Sequence, residues 1–144
     1  MQAAADNLGL QLKVLHASTD RDFDASFASL LQLRAGGLVI GGDPFFNSRS
    51  KQLGTLTLRH AIPTIYQFRS FVAAGGLASY GTNLTDSYRL VGRYTGRILH
   101  GEKAGDLAIQ QATKVELVIN KRTANALRLT IPPSLLARAD DVIQ

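Results

Sequence analysis

The chain has 144 residues, 45% of them hydrophobic and 19% charged. That composition excludes a disordered tail and suits one domain, or one domain with an appendage, that folds without a staple. The absence of cysteine excludes a disulfide scaffold, a cysteine nucleophile and a thiolate metal site. The net charge of +5 is uneven: residues 1–46 hold 3 basic and 5 acidic side chains, and residues 47–144 hold 13 and 6. The basic residues are scattered, which reads as a solvated surface, and no nucleic-acid partner is expected. No apolar stretch reaches the roughly 18 residues of a membrane span. Met1–Leu10 has neither the basic nor the apolar region of a signal peptide.

The elements alternate along the chain. Leu10–His16 places apolar residues at 10, 12 and 14, the period of a strand. Thr19–Asp22 reads as a helix start, with Asp20, Asp22 and Asp24 suited to the positive end of the dipole. Phe23, Phe27, Leu30 and Leu31 share one face of that helix, and Ala35-Gly36-Gly37 stops it. Leu38–Ile40 reads as a strand buried on both faces. Asn47 is expected to cap a helix running to about His60. Pro63–Gln67 is a third strand, a short helix spans Arg69–Ala74, and Leu77–Tyr80 is a fourth strand. Asp86–His100 is the clearest helix: Thr85 caps it, Val91, Tyr94 and Ile98 share a face, and Arg89, Arg93 and Arg97 form a second stripe. Leu107–Gln111 and Val115–Ile119 read as strands. Asn120 caps a helix to about Leu129, and Pro132-Pro133 opens a short one over Ser134–Ala139. This alternation predicts an α/β fold with a mostly parallel sheet flanked by helices.

Catalytic signatures are missing. There is no phosphate loop, no dinucleotide fingerprint after a strand and no nucleophile elbow. His16, His60 and His100 lie far apart with no local partner at metal spacing. Asp140-Asp141, near the carboxyl terminus, reads as solvated. No catalytic residue, metal or cofactor is expected, and the chain is not read as an enzyme.

In parallel sheets ligands bind beyond the carboxyl ends of the strands, which singles out 42–46, 66–69 and 80–83. Asp43 there can meet a ligand ammonium or hydroxyl, or form an Asx turn before Pro44. Phe46, beside Phe45, can stack on a ligand or anchor its loop. Tyr66 has an apolar face and a hydroxyl. Arg69 can grip a carboxylate or make a surface ion pair. Tyr80 and Asn83 add another aromatic ring and an amide. These types suit a small zwitterionic or aromatic carboxylate.

At these residues the sequence resembles a known family. Ile62-Pro63-Thr64-Ile65-Tyr66-Gln67-Phe68-Arg69, followed by Ala74-Gly75-Gly76-Leu77-Ala78-Ser79-Tyr80-Gly81, is similar to ABC-transporter substrate-binding proteins, including tryptophan- and tyrosine-binding lipoproteins. Ala112–Asn120 and Leu129–Asp140 also match the family's ending. The family pattern usually has Glu at Ser70 and Asp at Asn83. The resemblance runs from about Gly9 to the terminus and covers only the family's carboxyl-terminal half. It implies one lobe of a type I periplasmic binding protein. Residues 1–80 and 112–144 would form that lobe. Residues 81–111 would hold hinge crossings and a helix of the missing amino-terminal lobe.

The function so implied is solute binding for an ABC importer, with Asp43, Phe46, Tyr66, Arg69, Tyr80 and Asn83 as ligand contacts. The ligand would be a small organic solute such as an aromatic or other amino acid. The full-length protein would be a periplasmic or extracytoplasmic lipoprotein, and its partner a membrane permease. The isolated chain, lacking the lobe's first strand, is expected to form a homo-oligomer. A ligand-sensing domain of a transcriptional regulator is the alternative, with an α/β enzyme behind it.

Overall fold

The computed structural model describes residues 1–110 and 115–144 and has the expected α/β fold, in two compact units, Met1–Ala35 and Gly36–Gln144. The first unit holds helices α1 (Gln2–Asn7) and α2 (Asp20–Gln32). The start of α2 follows from its acidic residues. The Asp22 carboxylate accepts from the backbone N–H groups of Ser18 and Thr19, each at 2.8 Å. Those bonds hold the Asp22 carboxyl below its ordinary value. Phe23, Phe27 and Leu30 are buried, whereas Leu31 is exposed, because the buried arc of α2 is narrower than the apolar stripe. Arg34 takes a left-handed φ of 49° and turns the chain before the glycine pair is reached.

The expected strand Leu10–His16 does not form, and Leu10 and Val14 are exposed. Alternation supplies one apolar face, but a strand exists only where a neighbour completes its hydrogen bonds, and no described strand pairs with this segment.

The second unit is built on a five-stranded sheet whose order follows the chain: β1 (Leu38–Val39), β2 (Thr64–Tyr66), β3 (Ala78–Thr82), β4 (Val115–Asn120) and β5 (Asp141–Ile143). The β1–β2, β2–β3 and β4–β5 pairings are parallel, and β3–β4 is antiparallel. β1 departs from the reading of a strand buried on both faces. Ile40 is buried but Val39 is exposed, since β1 is the edge of the sheet.

Where one helix was expected after β1, there are two, α3 (Pro44–Ser48) and α4 (Ser50–Arg59). Asp43, not Asn47, caps the first, accepting from the Phe45 N–H at 2.7 Å. Pro44 suits the first helical position because its missing N–H would be unpaired there anyway. α5 (Arg69–Ala73) follows β2 as expected, and α6 (Leu84–Leu99) follows β3. The cap of α6 is Asn83 rather than Thr85: its Oδ1 accepts from the Asp86 N–H at 3.2 Å. α7 (Lys121–Ala126) starts at the predicted Asn120 cap but stops short of Leu129, where Arg128 adopts a left-handed φ of 55°. α8 (Pro133–Leu136) is the short helix after the proline pair.

Residues 107–110 of the expected strand Leu107–Gln111 are not a strand; Gln111 lies outside the described residues. A 3-10 turn over Ala104–Asp106 precedes them, and Ile109 is fully exposed, so the run has no surface to cover. Of the pair Asp140-Asp141, expected to be solvated, Asp140 is exposed, but neither residue is idle. Asp140 accepts from the Leu117 N–H at 2.8 Å, and Asp141 opens β5, a strand paired with β4 that the sequence reading does not contain.

The core lies where α5 meets the sheet. Phe71, Val72, Val118, Ile119 and Tyr66 are almost wholly buried. Asn120 joins both sides of that core: it caps α7 and its amide donates to the Val72 carbonyl at 3.2 Å.

Candidate functional site

Parallel strands β2 and β3 end together, and the chain leaves each end into a helix. β4 returns alongside β3, placing Glu116 opposite Gly81 and Val118 opposite Ser79. These ends and the first turns of α5 and α6 line a cleft of about 280 Å³ that includes Gln67, Arg69, Ser79, Gly81, Asn83 and Glu116.

Close packing at the strand ends shapes it. A Cβ on Gly81 would lie 2.2 Å from the Gln67 carbonyl oxygen, so only glycine lets β3 run this close to the end of β2. A Cβ on Gly42 would likewise strike the Gln67 side-chain amide at 2.2 Å, so that side chain rests on the loop after β1.

Two of the six residues expected to meet a ligand line the cleft. Arg69 opens α5 and pairs with Asp141 of β5. Both side chains are about half exposed, so the pair is a weak tether. Asn83 does two things: its Oδ1 caps α6, and its Nδ2 donates to Glu116 Oε1 at 2.9 Å. The amide orientation is therefore fixed from both ends.

The other four do not line it. Tyr66 is 2% exposed, and its hydroxyl donates to the side-chain carbonyl of Asn47. Its ring sits edge-on to Phe71 at 5.6 Å and to Phe68 at 6.1 Å. Burial raises its phenol above the ordinary value of 10.0. Asp43 caps α3, the Asx-turn reading. Phe46 lies half-buried on α3, tilted against Phe45 at 5.5 Å. Tyr80 points away from the core and is 61% exposed.

Glu116 is the cleft residue that the sequence reading missed. Val115–Ile119 reads as a strand, and nothing in that reading singles out Glu116. The available signal was the charge itself, at the second position of that otherwise apolar run. Among the described residues no cluster of three His, Asp or Glu could hold a metal ion, and no helix is long and apolar enough to cross a membrane.

Comparison with known proteins places this geometry. The family described as ABC transporter substrate binding protein matches residues 1–143. No curated protein sequence matches the chain. Among solved structures, a conserved domain protein from Vibrio cholerae O1 is 26% identical, with a TM-score of 0.84, over 98% of this chain and 47% of its own. An ABC domain in complex with L-Trp from Streptococcus pneumonia superposes with a TM-score of 0.83 at 23% identity, over 98% and 48%. A ligand-free, open substrate-binding protein with adhesive properties from Clostridium difficile gives 0.67 at 20% identity, over 99% and 48%. The last two likenesses are of fold. The chain spans about half the length of these solved relatives. By the family match along nearly its whole length, the chain belongs to the ABC transporter substrate-binding proteins.

Proposed function

We propose that this chain is the carboxyl-terminal half of a solute-binding protein that serves an ABC importer and performs no catalysis. One observation carries the reading. In a chain of a substrate-binding family, charged and amide side chains converge on a cleft at the carboxyl ends of paired parallel strands. The solute is a small organic molecule, an aromatic or other amino acid, and an L-Trp complex of the same fold supports that class. Arg69 and Asn83 are its direct polar contacts. Tyr66 and Asp43 set the loop that carries Phe46.

The other half of the pocket belongs to a second lobe. Residues 1–80 and 112–144 then form one lobe, and residues 81–111 carry the hinge crossings and a helix of the other. The uncovered apolar residues of α6 support this division. Closure about the hinge traps the solute, and a membrane permease recognises the closed form. The whole protein works outside the cytoplasm as a lipoprotein. Without the second lobe, the isolated chain associates through its uncovered surfaces. Light scattering tests that association, and a monodisperse monomer with a cooperative melt argues against it.

The binding reading is tested by a thermal-shift screen against amino acids and aromatic acids. The screen uses the chain alone and within the longest protein its reading frame encodes. A ligand that binds the native state raises the melting temperature. A rise of several degrees with one ligand class supports the reading; no rise with any class, in either form, contradicts it.

A further inference from the structure

The cleft holds two formal charges of opposite sign, Arg69 and Glu116. They arrive from different elements. Arg69 is the first residue of α5, while Glu116 lies on β4 directly across from Gly81. Gly81, the residue opposite, carries no side chain of its own. Asn83 orients it: the Nδ2 donor at 2.9 Å is fixed because the same amide caps α6. A carboxylate accepts several hydrogen bonds, so this contact is compatible with a cationic donor at the same group. Arg69 sits at the other charge, tethered by Asp141 with its guanidinium about half exposed. A cleft with a fixed anion and a tethered cation complements a ligand that carries both charges.

Building on the solute-binding reading, we infer that Glu116 determines specificity by receiving a protonated amine of the ligand. Charge-assisted hydrogen bonds of this kind exceed neutral ones by enough to discriminate about tenfold. Arg69 then serves the ligand's acidic end, in competition with Asp141.

The test uses matched ligand pairs that differ only in the amine: L-tryptophan with indole-3-propionate, and L-leucine with 4-methylpentanoate. Dissociation constants are measured by NMR titration of the wild-type chain and of Glu116→Gln. The glutamine keeps an oxygen acceptor for Asn83, so the cap of α6 survives. The wild type is expected to prefer the amine-bearing member of a pair by about tenfold or more. Glu116→Gln should remove that preference by weakening the amino acid alone. Affinity for the amine-free acid should stay within about twofold, which also shows that the variant is folded. A preference that persists in Glu116→Gln, or an equal loss for both members, overturns the assignment and leaves solute binding standing. Binding of neither pair by the wild type, alone or within the longest protein its reading frame encodes, overturns the assignment; the reading beneath it falls as well where the thermal-shift screen finds no ligand class.

Discussion

Helices α5 and α6 follow neighbouring strands, yet they use their apolar residues in opposite ways. α5 has five residues, and two of them, Phe71 and Val72, are completely buried. α6 has sixteen residues with its apolar and polar faces well separated, but buries none of them. Tyr88, Val91, Ile98 and Leu99 all lie exposed along it. Amphipathic spacing therefore states that a helix has a face to cover, and says nothing of whether this chain supplies the cover. α5 finds the sheet. For α6 the cover we propose is a second lobe.

The largest effect should come from the α5 side. Phe71→Ala empties the centre of the core and should destabilise the chain by about 3–5 kcal/mol in urea denaturation. Gly81→Ala is expected to cost about 3 kcal/mol, because its Cβ meets the Gln67 carbonyl at 2.2 Å and must push β3 from the end of β2. It should also weaken any ligand of the cleft, which a titration alongside the melt would reveal. Asn83→Ala removes both the α6 cap and the donor to Glu116, for about 1–2 kcal/mol and a loss of helical circular dichroism.

Tyr66→Phe is smaller, about 1 kcal/mol for the bond to Asn47, and it carries a pH signature. The folded-state phenol is raised, so its contribution is complete below pH 10.0 and fades as pH climbs through the folded value. Stability of the wild type should thus fall along an alkaline limb that Tyr66→Phe flattens. The smallest effect belongs to α6. Val91→Ala and Ile98→Ala should change stability by no more than about 0.5 kcal/mol, since neither side chain is buried. A loss of 2 kcal/mol there would erase the contrast between the two helices.

Much of this fold was legible because it is local. α5 and the cap of α7 at Asn120 depend on neighbours within a few residues, and the reading placed both of them. Long-range pairing was not legible. Leu10–His16 and Leu107–Gln111 have strand-like runs, but Leu10–His16 and residues 107–110 find no described partner, whereas the three residues of β5 become a strand because β4 lies beside them. The site shows the same limit. Strand-end logic located Arg69 and Asn83 in the cleft. Tyr66 follows the same rule of position and yet turns inward, because Asn47 accepts its hydroxyl and Phe71 meets its ring. Glu116 was invisible until the β3–β4 register set it across from Gly81.

The central claim is that the strand-end cleft binds a small solute, and amide chemical-shift mapping tests it most directly. The isotope-labelled chain would be titrated with L-tryptophan and then with the other amino acids. The account predicts saturable shifts clustered at Arg69, Gly81, Asn83 and Glu116, with α6 beyond its first turn unmoved. Saturable shifts confined to α6, or none with any amino acid for the chain both alone and within the longest protein its reading frame encodes, would contradict it.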